Sequence, residues 1–294
     1  MRRHHTSLFS WINNYHLSTI HNENDRVMIT RRQELRGKSA YSFRSTDFDK
    51  CETSGTADGG AIYCTTGSLA IEECIFTNCK SSNRSGSVFF QCTYVCNDTN
   101  NLFVNSSSDL HTGTFDDWSA TKSIHSQSIY INSHAEGIFG IMNIEGTSDA
   151  TVSTCIFING SAESCCGLLT LTKISGLASI CNCIFAKGVA KSYGGAFGTL
   201  EPYSGNPRPS FYFCYFSNNY CSDKTRGADF DADGTTGQYY LHERIVHCFS
   251  SSRGVRVYIE GRTATAVSNW LPHGRLALLV DGFPDSSSEP ATTN

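Results

Sequence analysis

The hexapeptide CIFTNC, residues 74–79, decides how this chain is read, because its opening triplet returns as CIFING at 155–160 and CIFAKG at 183–188. With the aromatic of the triplet as anchor, aromatics stand at Phe48, Phe76, Phe103, Tyr130, Phe157, Phe185, Phe216 and Phe249, spaced 27 to 33 residues apart. Two residues beyond the anchors come Lys50, Asn78, Asn105, Asn132, Asn159, Lys187, Asn218 and Ser251. Two residues before stand Cys74, Asn101, Ser128, Cys155, Cys183, Cys214 and His247. Self-similarity at a fixed period is the signature of a stacked repeat architecture.

A glycine-led motif follows each anchor: GGAIYC at 59–64, then GSVFFQ, GTFDD, GIFGIM, GLLTLT, GGAFGTL, GADFDADG and GVRVYIEG. One column reads Ile62, Val88, Phe115, Phe139, Leu169, Phe197, Phe230 and Val257, apolar throughout. Alternation about that column marks strands, whose side chains point to opposite faces in turn. A unit of about 27 residues with two or three short strands cannot bury an apolar face alone, so it stacks on its neighbours. The pattern predicts an all-β, right-handed parallel β-helix of about eight coils, the hand following the rule for parallel crossovers. In such a stack the aromatic column becomes an internal ladder. The Asn column is expected to be an internal amide ladder, and the glycines to mark positive φ or close backbone approach.

Gly59-Gly60-Ala61-Ile62 alternating with F-x-x-N, as in Phe216-Ser217-Asn218-Asn219, resembles the polymorphic outer-membrane-protein (Pmp) repeats over roughly residues 45–260. The cysteine-rich GGAIY variant also looks like surface repeat proteins of parasitic protozoa. The resemblance implies the pectin-lyase-like superfold and an extracellular or cell-surface location. On this reading residues 1–44 form an N-terminal cap or partial coil, with GKSAYSF (37–43) as a candidate first coil. Residues 45–262 are the repeats, 263–283 further strands or a cap, and 284–294 a polar tail.

Composition agrees with short strands and tight turns. The 294 residues carry a formal charge of −4 and only 17% charged side chains, and Ser, Thr, Asn and Gly fill the difference. The slight acidity gives no basic stripe for nucleic acid. No run approaches the ~18 apolar residues of a spanning helix. The basic opening lacks the 7–15-residue apolar core of a standard secretory signal. The chain has 14 cysteines, and Cys155, Cys183 and Cys214 share one column as Cys51 and Cys79 share another. Parallel side chains in register aim badly for a disulfide, which favours small buried hydrophobes over bridges.

The sharpest polar feature is DFDADG at 229–234, which opens like a calcium loop but has Tyr240 where a bidentate Glu belongs. On a strand, Asp229, Asp231 and Asp233 share the outer face, and Arg256 is expected beside Asp229 on the next coil. That edge is the candidate calcium or sugar-acid site, set against an ordinary solvated ion pair. His111, His125 and His247 show no partner spacing, and no catalytic motif is present. Sequons fall at Asn83, Asn97, Asn105 and Asn159, of which the last two are expected to be buried in the amide ladder. Two functions are therefore weighed. One is a non-catalytic surface or adhesion module binding carbohydrate or a host or cell-surface protein along its sides. The other is a divergent lyase or glycoside hydrolase. A flat side of Ser, Thr and Asn favours the first, and a groove with two carboxylates on neighbouring coils the second.

Overall fold

The computed structural model describes residues 26–37, 40–200 and 208–222. It also describes the strands Phe230–Ala232, His242–Val246, Phe249–Ser250, Val257–Ile259, Thr263–Val267 and Leu278–Val280. The described residues form strands and turns, with no helix among them. The strands wind through three sheets in turn, stacking as a parallel β-solenoid of about seven turns. The first sheet starts with β1 (Val27–Ile29) on β4 (Thr46–Asp49), the second with β2 (Gln33–Leu35) on β5 (Ile62–Cys64), and the third with β3 (Ala40–Arg44) on β6 (Ser68–Glu72), all parallel. Pairing has therefore begun by Val27, and GKSAYSF supplies the first strand of the third sheet. At the other end Thr263–Val267 and Leu278–Val280 add to the third and second sheets.

The aromatic column is the spine of the core. Rings from Phe48 to Phe216 stack face to face at centroid spacings of 4.5 to 5.1 Å. That spacing is the inter-strand distance of a parallel sheet, so register alone brings the rings together. Cys74, Asn101, Ser128, Cys155, Cys183 and Cys214 are buried in the column beside it. Cys74 N–H donates to Asn101 Oδ1 at 2.7 Å, and Asn101 N–H to Ser128 Oγ at 3.1 Å. Cys183 sits between Cys155 and Cys214 as a thiol, and burial pushes its pKa well up. The glycines of the second motif stack backbone on backbone. A Cβ on Gly113 would lie 2.1 Å from Gly140 O, and one on Gly140 would lie 2.0 Å from Gly167 O.

Three sequence expectations change. Met142, not Phe139, fills the inward column of the second sheet, pairing with Phe115 and Leu169. The coil's stacking glycine is Gly140 rather than Gly137, so Phe139 belongs to the preceding loop. Phe249 pairs with Tyr215, one residue out of the aromatic register. The Asn ladder exists but faces solvent. Nδ2 of Asn105, Asn132 and Asn159 each donates to the Oδ1 one coil earlier, at 3.2, 3.2 and 2.8 Å. All three residues are exposed, with φ of +57°. The strand turns a corner there through the left-handed region, which Asn tolerates better than most residues. That turn swings the side chain outward, so the sequons at Asn105 and Asn159 are exposed, against expectation.

Candidate functional site

Polar groups gather on both sides of the second sheet, on its inner side together with residues of the third sheet that face it. Along β13 (Phe115–Trp118), Phe115 and Asp117 point inward, and Asp116 and Trp118 outward. The inward polar cluster is the larger. Asp98 on β10 (Val95–Thr99), Asp117, and Ser123 and His125 on β14 (Lys122–Ser126) are all fully buried. His125 Nδ1 meets Asp98 Oδ2 at 3.2 Å, and Nε2 meets Ser123 Oγ at 3.0 Å. Ser123 Oγ–H donates to Asp117 Oδ2 at 2.5 Å. Asp98 also accepts from Tyr130 OH, and from Asn101 Nδ2 at 2.5 Å. Burial by itself would lower the pKa of His125. The hydrogen bonds and charges of Asp117 and Asp98 outweigh burial and hold it at about 9. The imidazolium is the core's answer to two buried carboxyl groups.

Ser123, His125 and Asp98 lie in the order of nucleophile, base and orienting acid. They do not act as one. A protonated His125 donates from both nitrogens, and the Ser123 hydroxyl hydrogen is engaged in its hydrogen bond to Asp117. All of these groups are sealed inside the stack, so no substrate reaches them.

The outward face has a different character. Loops between the first and second sheets fold over its inner column, so Phe89, Asp116, Asn143 and Thr170 are buried although they point away from the core. Asp116 Oδ2 lies 2.9 Å from His111 Nδ1, and Asp116 Oδ1 accepts from Asn143 Nδ2 at 2.9 Å. The next column outward reads Gln91, Trp118, Glu145, of which Gln91 is exposed and Trp118 and Glu145 are half-buried. Trp118 is fixed on several sides. Its Nε1–H donates to Glu145 Oε2 on β16 (Met142–Glu145), and the Arg84 guanidinium lies 3.9 Å over its ring. Phe89 packs at 6.3 Å and His111 at 6.4 Å. Arg84 is itself placed by its backbone N–H, which donates to Asp58 Oδ1 at 3.2 Å. Partial burial raises the Asp58 pKa, and the Arg84 charge partly offsets it.

One rung from Trp118, Gln91 opens onto a groove of about 380 Å³ at the corner between the second and third sheets. Thr65, Thr66, Gly67, Gln91, Cys92, Thr93 and Tyr94 line it, and Tyr94 is 54% exposed. Beyond the groove the third sheet presents a flat outer face. Ser42, Ala70, Asn97, Ile124, Thr151 and Ser179 form one column. Thr99, Ser126 and Ser153 stand in the next, with Thr99 and Ser126 hydroxyls 3.1 Å apart.

Of the sequence-predicted site, Asp229, Asp233 and Arg256 lie outside the described residues. Asp231 is in the strand Phe230–Ala232, paired with Gly198 and Tyr258. Among the described residues no three His, Cys, Asp or Glu side chains are arranged to hold a metal ion. His125 and His111 both have carboxylate partners, contrary to the absence of any partner spacing in the sequence. The signal for His125 was available in its 27-residue offset from Asp98, which is one repeat. No protein-family model, curated protein or solved structure matches the chain in the comparisons made.

Proposed function

We propose that this solenoid is a non-catalytic binding module that takes carbohydrate at the corner between its second and third sheets. One observation carries the proposal: Trp118, held rigid by Arg84 and Glu145, stands one rung from a groove lined by Thr65, Thr66, Gln91, Thr93 and the exposed Tyr94. A fixed aromatic ring offers an apolar platform to a sugar's C–H face, while hydroxyls and amides address its hydroxyl groups. The adjoining flat face of Asn97, Thr99, Ser126, Thr151 and Ser153 extends the same chemistry along the axis at the strand spacing. A surface or adhesion role and an extracellular location follow as parts of this proposal from the resemblance of the repeats.

The enzyme reading has its own support, since Asp116 and Glu145 lie on neighbouring coils and Asn143 Nδ2 reaches both, at 2.9 and 3.5 Å. Glycoside hydrolysis needs both carboxyl groups at the substrate. Asp116 is fully buried under its loop and spends both oxygens on His111 and Asn143, which favours binding over cleavage.

A glycan array read together with reducing-end release separates the two. The expected result is retention of a glycan without new reducing ends, lost in Trp118→Ala and Tyr94→Ala while the circular dichroism is unchanged. Release that disappears in Glu145→Gln would establish the enzyme instead. No glycan retained, with capture of a protein that is lost in the same variants, would leave the site and replace its ligand.

A further inference from the structure

Arg84 differs from the other arginines whose side chains are described. Arg26, Arg32, Arg36 and Arg44 each reach a carboxylate, and Arg31 stands exposed in solvent. Arg84 is half-buried, with its guanidinium lying 3.9 Å over the Trp118 ring. Among the described residues no acceptor takes a hydrogen bond from that guanidinium, and no carboxylate pairs with it. The acidic groups around it are engaged elsewhere. Glu145 Oε2 accepts from Trp118 Nε1, and Lys173 Nζ donates to Glu145 Oε1 at 3.3 Å. Asp58 Oδ1 accepts from Asn83 Nδ2 at 2.7 Å and from the Arg84 backbone N–H at 3.2 Å. Asp58 thus fixes the loop that carries Arg84 and leaves the guanidinium without a partner.

We infer that Arg84 sets the specificity of this corner and that the glycan taken there is acidic, with a sugar carboxylate or sulfate ester accepting from the Arg84 guanidinium. The inference rests on the carbohydrate-binding reading above and narrows its ligand. A guanidinium that stacks by its flat face on an indole still aims its N–H fork outward in its own plane. That fork matches two oxygens of a carboxylate or sulfate, and such charge-assisted bonds are roughly twice as strong as neutral ones. A neutral sugar hydroxyl offers the fork one oxygen and no charge. Trp118 stands one rung from Gln91 and the groove, so a ligand that reaches the indole also meets the guanidinium lying on it. The cation is already oriented before the ligand arrives, which lowers the ordering cost of the contact.

The test uses the full chain on an array that sets uronic-acid chains beside their carboxyl-reduced forms and sulfated chains beside their desulfated forms. Retained members are then titrated by calorimetry. An acidic form is expected to bind about tenfold or more tightly than its neutral match, and the pair that shows this identifies the anion as carboxylate or sulfate. The advantage should shrink as salt rises. It should vanish in Arg84→Gln and persist in part in Arg84→Lys, which keeps the charge without the fork. Circular dichroism should be unchanged in both variants. If Arg84→Gln does not fold, the matched pairs on the unaltered protein decide the matter. Neutral and acidic forms bound alike would overturn the inference and leave carbohydrate binding standing, as would an acid preference that persists in folded Arg84→Gln. Retention of no form, acidic or neutral, would overturn the inference together with the reading on which it rests.

Discussion

Replacing His125 by Gln tests the buried charge network at the heart of the solenoid. His125 is raised from its ordinary 6.5 to about 9 because Asp117 and Asp98 outweigh the burial that alone would lower it. A shift of that size corresponds to about 3 kcal/mol of stability held by the proton. For a raised folded pKa this stability is fully present below the unfolded value. It is lost as pH rises through the folded value. Between pH 6.5 and 8.5 the loss works out at about 2 kcal/mol, or a fall in Tm on the order of 4–8 °C. The groups facing His125 are Asp98, Asp117, Ser123 and Tyr130, and Cys96 feels the same carboxylates. Buried thiols such as Cys64 and Cys74, pushed up to about 11, add a loss of the same sign above pH 8.5, so the comparison stops there. Thermal melts followed by circular dichroism should show the fall in the protein and a flat profile in His125→Gln. The variant should melt lower at pH 6.5, since Asp98 and Asp117 then lack their shared cation. An unchanged pH slope in His125→Gln would refute the assignment of the proton to this imidazole.

Further outcomes can be checked by chemical denaturation. Tyr130→Phe keeps the ring stack with Phe103 and Phe157 but takes a donor from the buried Asp98, and should cost about 1–3 kcal/mol; a neutral result would mean the phenol makes no net contribution. Gly113→Ala drives a Cβ against Gly140 O and should cost roughly 1–3 kcal/mol or more, whereas Gly37→Ala, with nothing within 4 Å, meets only its backbone strain at φ +81°. Asn132→Leu should cost about 1–2 kcal/mol through its left-handed backbone rather than through a buried amide, and Asn132→Gly should lose less; equal losses would point to the side-chain ladder instead.

The repeat was legible because stacking imposes one constraint on every coil. A residue in a parallel ladder meets its own equivalents at about 4.8 Å, so the aromatic column from Phe48 to Phe216 had to be written in the sequence at the coil period. The same constraint exposed the buried Cys74–Cys214 column. It failed where a coil gains or loses a residue in a loop, which is why Phe139 stood in for Met142 and Phe249 for its neighbour. It also failed for direction. Asn132 keeps perfect register, and register is blind to whether a side chain points in or out at a corner, which the positive φ decided.

The candidate site was less legible. Asp116, Trp118 and Glu145 occupy ordinary outward positions, and nothing in their spacing separates them from a solvated face. They come together as a candidate site because Asp116 is sealed while Trp118 stays only half-buried, and because Arg84 from the coil before reaches the indole. Nor could sequence show that Asp117 and His125, on two different sheets, face one another across the interior. The sequence by itself determined the period, the parallel stack and the composition of each ladder, since these are set by repetition along one axis. The tertiary structure alone decided which polar groups meet across that axis and which loops cover them, since those contacts join positions that the repeat does not relate.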